Sequence, residues 1–203
     1  MPTKMLTFVT AHNHITMKKT IILAGMLLAL ITSCKMENPL LSESTLPYGA
    51  PQFDKIKNEH YLPAFQQAIK DGKAEIDAIV ANPDEPSFEN TIEALAYSGR
   101  AVSRVGGIFY NLKESNTNDG MEQIAEELSP LLTEYEMYAS LNAPLFERVK
   151  AVYDKRDGLG LTREQMRLLE DTYKGFVRSG ALLSDADKEK YSKLEEELSL
   201  TQL

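Results

Sequence analysis

The 203 residues contain no tryptophan, one cysteine and three histidines. A single cysteine cannot close an internal disulfide or build a Cys-rich zinc cluster. His12 and His14 precede the first long apolar stretch, which leaves His60 alone in the body of the chain. Zinc sites take three or four protein ligands, commonly two histidines four apart on one helix, and no H-E-x-x-H is present. Neither a G-x-S-x-G elbow nor a G-x-G-x-x-G or phosphate-binding loop occurs, so the motifs of acyl transfer and nucleotide binding are missing too. Basic side chains are in deficit: 22 Lys and Arg stand against 30 Asp and Glu, a formal net charge of −8. A surface of that sign repels phosphate backbones and argues against nucleic acid as a partner. After the leader described next, nothing approaches the roughly 18 consecutive apolar residues that a membrane span needs.

The one cysteine has a telling position. From Met17 the text reads MKKTIILAGMLLALITSC, in which Lys18 and Lys19 precede an apolar run, Ile21 to Ile31, and then Thr32, Ser33 and Cys34. A charged start, a short apolar core and a small residue before a cut are the parts of a secretory signal peptide, and this run is too short to span a bilayer. With cysteine next after the small residue, ITSC resembles a bacterial lipobox. Cys34 is therefore read as the lipidation site and, after cleavage, as the N-terminus. Because each buried methylene contributes about 0.8 kcal/mol, two or more acyl chains anchor stably where one does so marginally. This places the protein in the bacterial cell envelope, held to a membrane through Cys34. Residues 1–33 hold no acid and only the lysines Lys4, Lys18 and Lys19. Residues 1–16 fit no part of a signal peptide and read as an upstream extension from a start codon placed too early.

Residues 34–54 carry three prolines and a glycine without periodicity, a tether followed by an extended lead-in. From 55 to 203 apolar residues recur at helical spacing, and no stretch alternates at period two. A first helix, capped by Asn58, has Leu62, Phe65, Ile69, Ile76 and Ile79 on one face and tolerates Pro63 near its start. The NPDEP stretch (Asn82–Pro86) breaks it. Ser87 caps a second helix with Phe88, Ile92, Leu95, Val102, Val105, Phe109 and Leu112 inward, and Gly106 and Gly107 within it mark close helix packing. ESNTNDG forms a loop. A third segment, Met121–Tyr153, carries Ile124, Leu128, Leu131, Leu132, Tyr135 and Tyr138, is kinked at Pro130 and restarts at Asn142–Pro144 with Leu145, Phe146, Val149 and Val152. TREQ (Thr162–Gln165) is a capping box ahead of Met166, Leu169, Tyr173 and Phe176. Ser184 opens the last helix, with Tyr191, Leu194 and Leu198 inward. The expectation is an all-α domain of five or six antiparallel helices. The pattern is still helical at Leu203, without a glycine cap, which reads as a domain truncated at its C-terminus and an apolar face left open at Leu194, Leu198 and Leu203.

Reactive groups are scarce in this domain. His60 stands beside Glu59 near a helix start, where a packed or hydrogen-bonded histidine outweighs half a metal site. The acidic runs AEEL (Ala125–Leu128) and LEEEL (Leu194–Leu198) lie on helices and read as solvated faces. Catalytic and metal-binding residues are accordingly assigned to none of the positions in this chain.

Three blocks carry a family resemblance. They are NPLLSESTLPYGAPQFDKIKNEHYLPAFQQAI (Asn38–Ile69), SFENTIEALAYSGRAVSRVGGIFYNL (Ser87–Leu112), and the text from Leu141 (LNAPLFERVKAVYDKRDGLGLTREQ…) to Leu203. In this order they resemble the opening region of bacterial peptidyl-dipeptidases (dipeptidyl carboxypeptidases) of the thimet oligopeptidase and oligopeptidase A family. The resemblance implies an almost wholly helical protein of two lobes flanking a channel, with this region building one lobe. It also implies zinc in the full-length parent, held by an H-E-x-x-H helix and a further glutamate downstream, and short peptides as substrates. None of those ligands has a counterpart here, so the resemblance implies a fragment that binds no zinc and is inactive alone. A stand-alone helical lipoprotein that binds peptides or partners is the competing reading.

Overall fold

The computed structural model describes residues 38–201, and the chain divides between Glu37 and Asn38. Cys34, His12, His14, the leader and Leu203 lie outside the described residues. Six helices of three turns or more make up the described part: α1 Asn58–Val80, α2 Arg100–Asn116, α3 Asp119–Ser140, α4 Ala143–Asp154, α5 Arg163–Arg178 and α6 Asp185–Thr201. No strand occurs among the described residues, and the all-α expectation holds.

α1 is the spine. Its buried residues Tyr61, Phe65, Ala68, Ile69, Gly72, Ile76 and Ile79 recur at three- and four-residue intervals and form one stripe along 23 residues. The first half of that stripe enters a core with Leu40, Val105, Phe109, Met121, Ala125 and Leu128. The second half enters another with Phe88, Ile92, Leu145, Phe146, Val149, Val152, Leu169 and Phe176. Each fully buried large side chain, such as Phe109 or Leu169, contributes about 1.5–3 kcal/mol. Rings extend both cores: Tyr61 and Phe65 meet Phe109 edge-on at 4.9 and 5.8 Å, and Tyr153 stacks on Tyr173 at 3.9 Å with the Arg156 guanidinium over its other side.

α1 and α2 run antiparallel, as do α4 and α5, where Phe146 meets Phe176 and Tyr153 meets Tyr173. Gly99, just before α2, lies at Glu75 late in α1, whereas Phe109 lies at Tyr61 early in it. α1 and α3 are parallel, as this up-down-up order requires. Asn58 Nδ2 donates to Asn118 Oδ1 (2.7 Å) at their starts, and Lys73 pairs with Glu134 (2.6 Å) further along. α6 returns along α3, with Ser129 Oγ donating to the Ser199 carbonyl at 3.0 Å.

Most of the expected caps are present. Ser87 and Asn90 bond reciprocally, side chain to backbone, as do Thr162 and Gln165, while Asn142 and Ser184 accept from Leu145 and Asp187 N–H. Four expectations are corrected. Asn58 is the first helical residue rather than the cap, because the extended N-cap position falls on Lys57; the His60 ring caps instead, with Nδ1 accepting from Lys57 N–H at 3.1 Å. The second helix is not continuous. A π-helical turn, Phe88–Glu93, runs into Ala94–Tyr97 and ends at Ser98–Gly99, where Gly99 adopts φ +68° before α2 starts. The ESNTNDG loop shrinks to Thr117–Asn118, since α2 extends through Asn116 and Asn118 Oδ1 caps α3. Leu194 and Leu198 do not turn inward: they are 63% and 47% exposed, because α6 meets α3 through the stripe of Tyr191, Glu195 and Ser199. Of the paired glycines, Gly106 sits over Phe65, and Gly107 faces open space.

Two arginines fasten the irregular segments. Arg104 Nη2 donates to the carbonyls of Leu40 and Leu41, and the Asn38 amide donates to the His60 carbonyl, so the lead-in is tied to α1 and α2. Arg148 on α4 donates to the carbonyls of Asn82 and Asp84 and to Asn90 Oδ1, which secures the NPDEP connection.

Candidate functional site

His60 is the histidine of the described residues, and both ends of it are occupied structurally. Its ring nitrogen caps α1 and its carbonyl anchors Asn38. No group of three or more His, Cys, Asp or Glu that could hold a metal occurs among the described residues. The acidic runs are spread around their helices: Glu126, Glu127, Glu196 and Glu197 are exposed, and Glu195 is half-buried against α3.

The clefts are open and lack a reactive pair. One cleft, about 410 Å³, lies between α3 and α6, lined by Tyr135, Glu136, Ser140, Ser179, Tyr191 and Glu195 among others. A second lies between α1 and the 88–98 segment, beside Glu75, Asn82, Asn90 and Tyr97. Neither lining contains a histidine, cysteine or lysine, so a hydroxyl there has no base to activate it beyond a carboxylate. Shape is what these surfaces offer.

The most constrained polar node joins three elements. Tyr135 of α3 sits between Gly72 of α1 and Gly99; a Cβ at either glycine would lie 2.5 Å from the phenol oxygen. Gly99 N–H donates to Glu75 Oε2 at 2.8 Å, so a carboxylate from α1 serves the uncapped start of α2. Burial, and then the nearby Glu75 charge, push the Tyr135 phenol above its ordinary range. At the α2–α3 turn, the hydrogen bond from Thr117 and then that from Lys113 hold Glu122 below the usual carboxylate range. Sequence periodicity placed Tyr135 on the stripe of the third segment but could not find its neighbours Gly72, Gly99 and Glu75; the SG pair at Ser98–Gly99 was the one local signal of a turn.

The fold and its clips therefore define a helical scaffold without an assembled reactive centre among the described residues, and sequence comparison says of what. The chain is 45% identical over 160 residues to a dipeptidyl carboxypeptidase of Escherichia coli (strain K12), which is 79% of this chain and 24% of that protein. It is 43% identical over 151 residues to a dipeptidyl carboxypeptidase of Salmonella typhimurium, covering 74% of this chain and 22% of that protein. Oligopeptidase A of Escherichia coli is more distant, 28% identical over 167 residues, 81% of this chain and 24% of that protein. No family model matches. The chain is a homologue of these peptidases, corresponds to their N-terminal part, and spans about a quarter of the length of the curated relatives it matches. Among the described residues, no helix is long and apolar enough to cross a membrane.

Proposed function

We propose that the chain is the N-terminal, non-catalytic part of a zinc metallopeptidase that hydrolyses short peptides, of the peptidyl-dipeptidase or oligopeptidase type, and that it helps form one wall of the substrate channel. The observation that carries this reading is 45% identity across 79% of the chain to a dipeptidyl carboxypeptidase. The described residues do not fit zinc. They hold no three-ligand group, and His60 Nδ1 is already accepting a backbone N–H. A catalytic zinc needs three protein ligands and an open position, so in the parent it would be held by residues beyond this region, and no step of hydrolysis falls to these side chains. Their work is to hold six helices in one arrangement against which the rest of the enzyme is built.

The proposal includes a lipid anchor at Cys34 and a place in the bacterial cell envelope, supported by Lys18–Lys19, the Ile21–Ile31 run and Ser33. Metabolic labelling with a fatty acid should mark the wild-type chain and not Cys34→Ala; equal label in both would remove the anchor. The functional reading is tested with a chimera in which the matching 160 residues of the Escherichia coli dipeptidyl carboxypeptidase are replaced by those of this chain. The chimera should release C-terminal dipeptides. A soluble, helical chimera without activity would favour a stand-alone helical lipoprotein.

A further inference from the structure

Residues 46–53, LPYGAPQF, carry no charge in a chain that is 26% charged, and they bring apolar side chains to the surface together. Leu46 is 43% exposed, Phe53 53%, and the Tyr48 ring projects wholly into solvent. Tyr48 is also the one non-glycine with positive φ among the described residues (φ +59°), and Gly49 follows at φ +67°. A side chain with a Cβ costs about 1 kcal/mol or more in the left-handed region, and such residues persist where the surroundings over-determine them.

No packing holds Tyr48 there; the turn is braced from within. Leu46 N–H donates to Ser44 Oγ (3.2 Å), and Ser44 Oγ donates to the Ala50 carbonyl. Gly49 and Ala50 N–H close onto the Leu46 and Pro47 carbonyls. Behind it, Leu40 is buried and Arg104 grips the carbonyls of Leu40 and Leu41, so the turn stands on a fixed base. A rigid, uncharged, aromatic knuckle held at a conformational cost is pre-organised for contact.

We infer that the Leu46–Phe53 knuckle docks against the part of the parent peptidase that this chain does not span, with Tyr48 as the anchor. This rests on the reading under Proposed function. The relatives are about four times as long as the matched region, so most of the parent's length lies outside this lobe and is available to cover it. The exposed leucines of α6 are a weaker candidate, since Lys190, Lys193, Glu196 and Glu197 stand among them. The absence of charge on residues 46–53 fits the dry interior of an interdomain contact rather than its rim.

The test compares the 203-residue chain with the chimera under limited chymotrypsin digestion, reading cleavage after Tyr48 by mass spectrometry. Cleavage there should be at least about tenfold slower in the chimera, because proteolysis follows the population of exposed chain. Tyr48→Ala should leave the melting temperature of the 203-residue chain unchanged, yet speed thermal inactivation of the chimera about tenfold, as loss of a buried aromatic anchor does. Equal cleavage and equal inactivation in an active chimera would overturn the docking surface alone. Protection that appears in the 203-residue chain as its concentration rises would assign the knuckle to a second copy and overturn the proposal. An inactive chimera would remove the peptidase reading and the docking surface with it.

Discussion

Tyr135 cannot retreat from α1 without meeting the turn before α2, because Gly72 and Gly99 flank its phenol on two sides. Gly72→Ala sets a gain in helix propensity against this contact, and the contact prevails: a Cβ would fall 2.5 Å from Oη and 2.9 Å from Cζ. The expected cost is about 1–3 kcal/mol, read as a lower urea midpoint, with part of it recovered in Gly72→Ala/Tyr135→Phe. An unchanged midpoint would show that the ring is free to move aside. Alkali acts on the same tyrosines. Burial raises the phenols of Tyr61 and, with the Glu75 charge, Tyr135 above the ordinary value of about 10, so the folded state disfavours their ionised form. Their contribution is intact below that ordinary value and is lost as pH rises through the raised one. Stability should therefore fall above about pH 10, and Tyr61→Phe/Tyr135→Phe should flatten that fall. An identical alkaline slope in wild type and variant would contradict this.

At the scale of elements, α6 is the helix whose apolar residues and packing face disagree. Tyr191, Glu195 and Ser199 meet α3, while Leu194 and Leu198 remain open. Leu194→Lys/Leu198→Lys should leave helix content unchanged and stability within about 0.5 kcal/mol, and should reduce self-association seen by sedimentation. A loss of several kcal/mol would mean that these leucines are buried after all. α6 also shows what the sequence conceals. Helix existence, type and most inner faces follow from apolar periodicity, as the α1 stripe and the α4 residues Leu145, Phe146, Val149 and Val152 do. The Ser87 cap and the Thr162–Gln165 box were equally legible, since each cap and its partner lie within four residues, although the reciprocal bond from Asn90 was not read. Periodicity is silent where a backbone group is satisfied from far away. The Gly99 break depends on Glu75, 24 residues earlier; the lead-in depends on Arg104, and the 82–90 connection on Arg148. The His60 ring was read as structural, and its cap on Lys57 agrees.

For the whole molecule, the paucity of reactive side chains and the homology to peptidases belong to one account. The region builds shape around α1, with two cores strung along a single helix, and on the proposed reading the chemistry falls to other parts of the parent. A peptidase zinc lowers the pKa of its bound water to about 7 only when protein ligands hold it in an open site. The most direct measurement is chelator-sensitive release of dipeptides from short peptides, with zinc content, on the purified 203-residue chain beside the same chain extended through the reading frame downstream of Leu203. The account predicts no zinc and no release from the 203-residue chain, and stoichiometric zinc with dipeptide release from the extended product. Chelator-sensitive release by the 203-residue chain alone, or neither zinc nor release in the extended product, would contradict it.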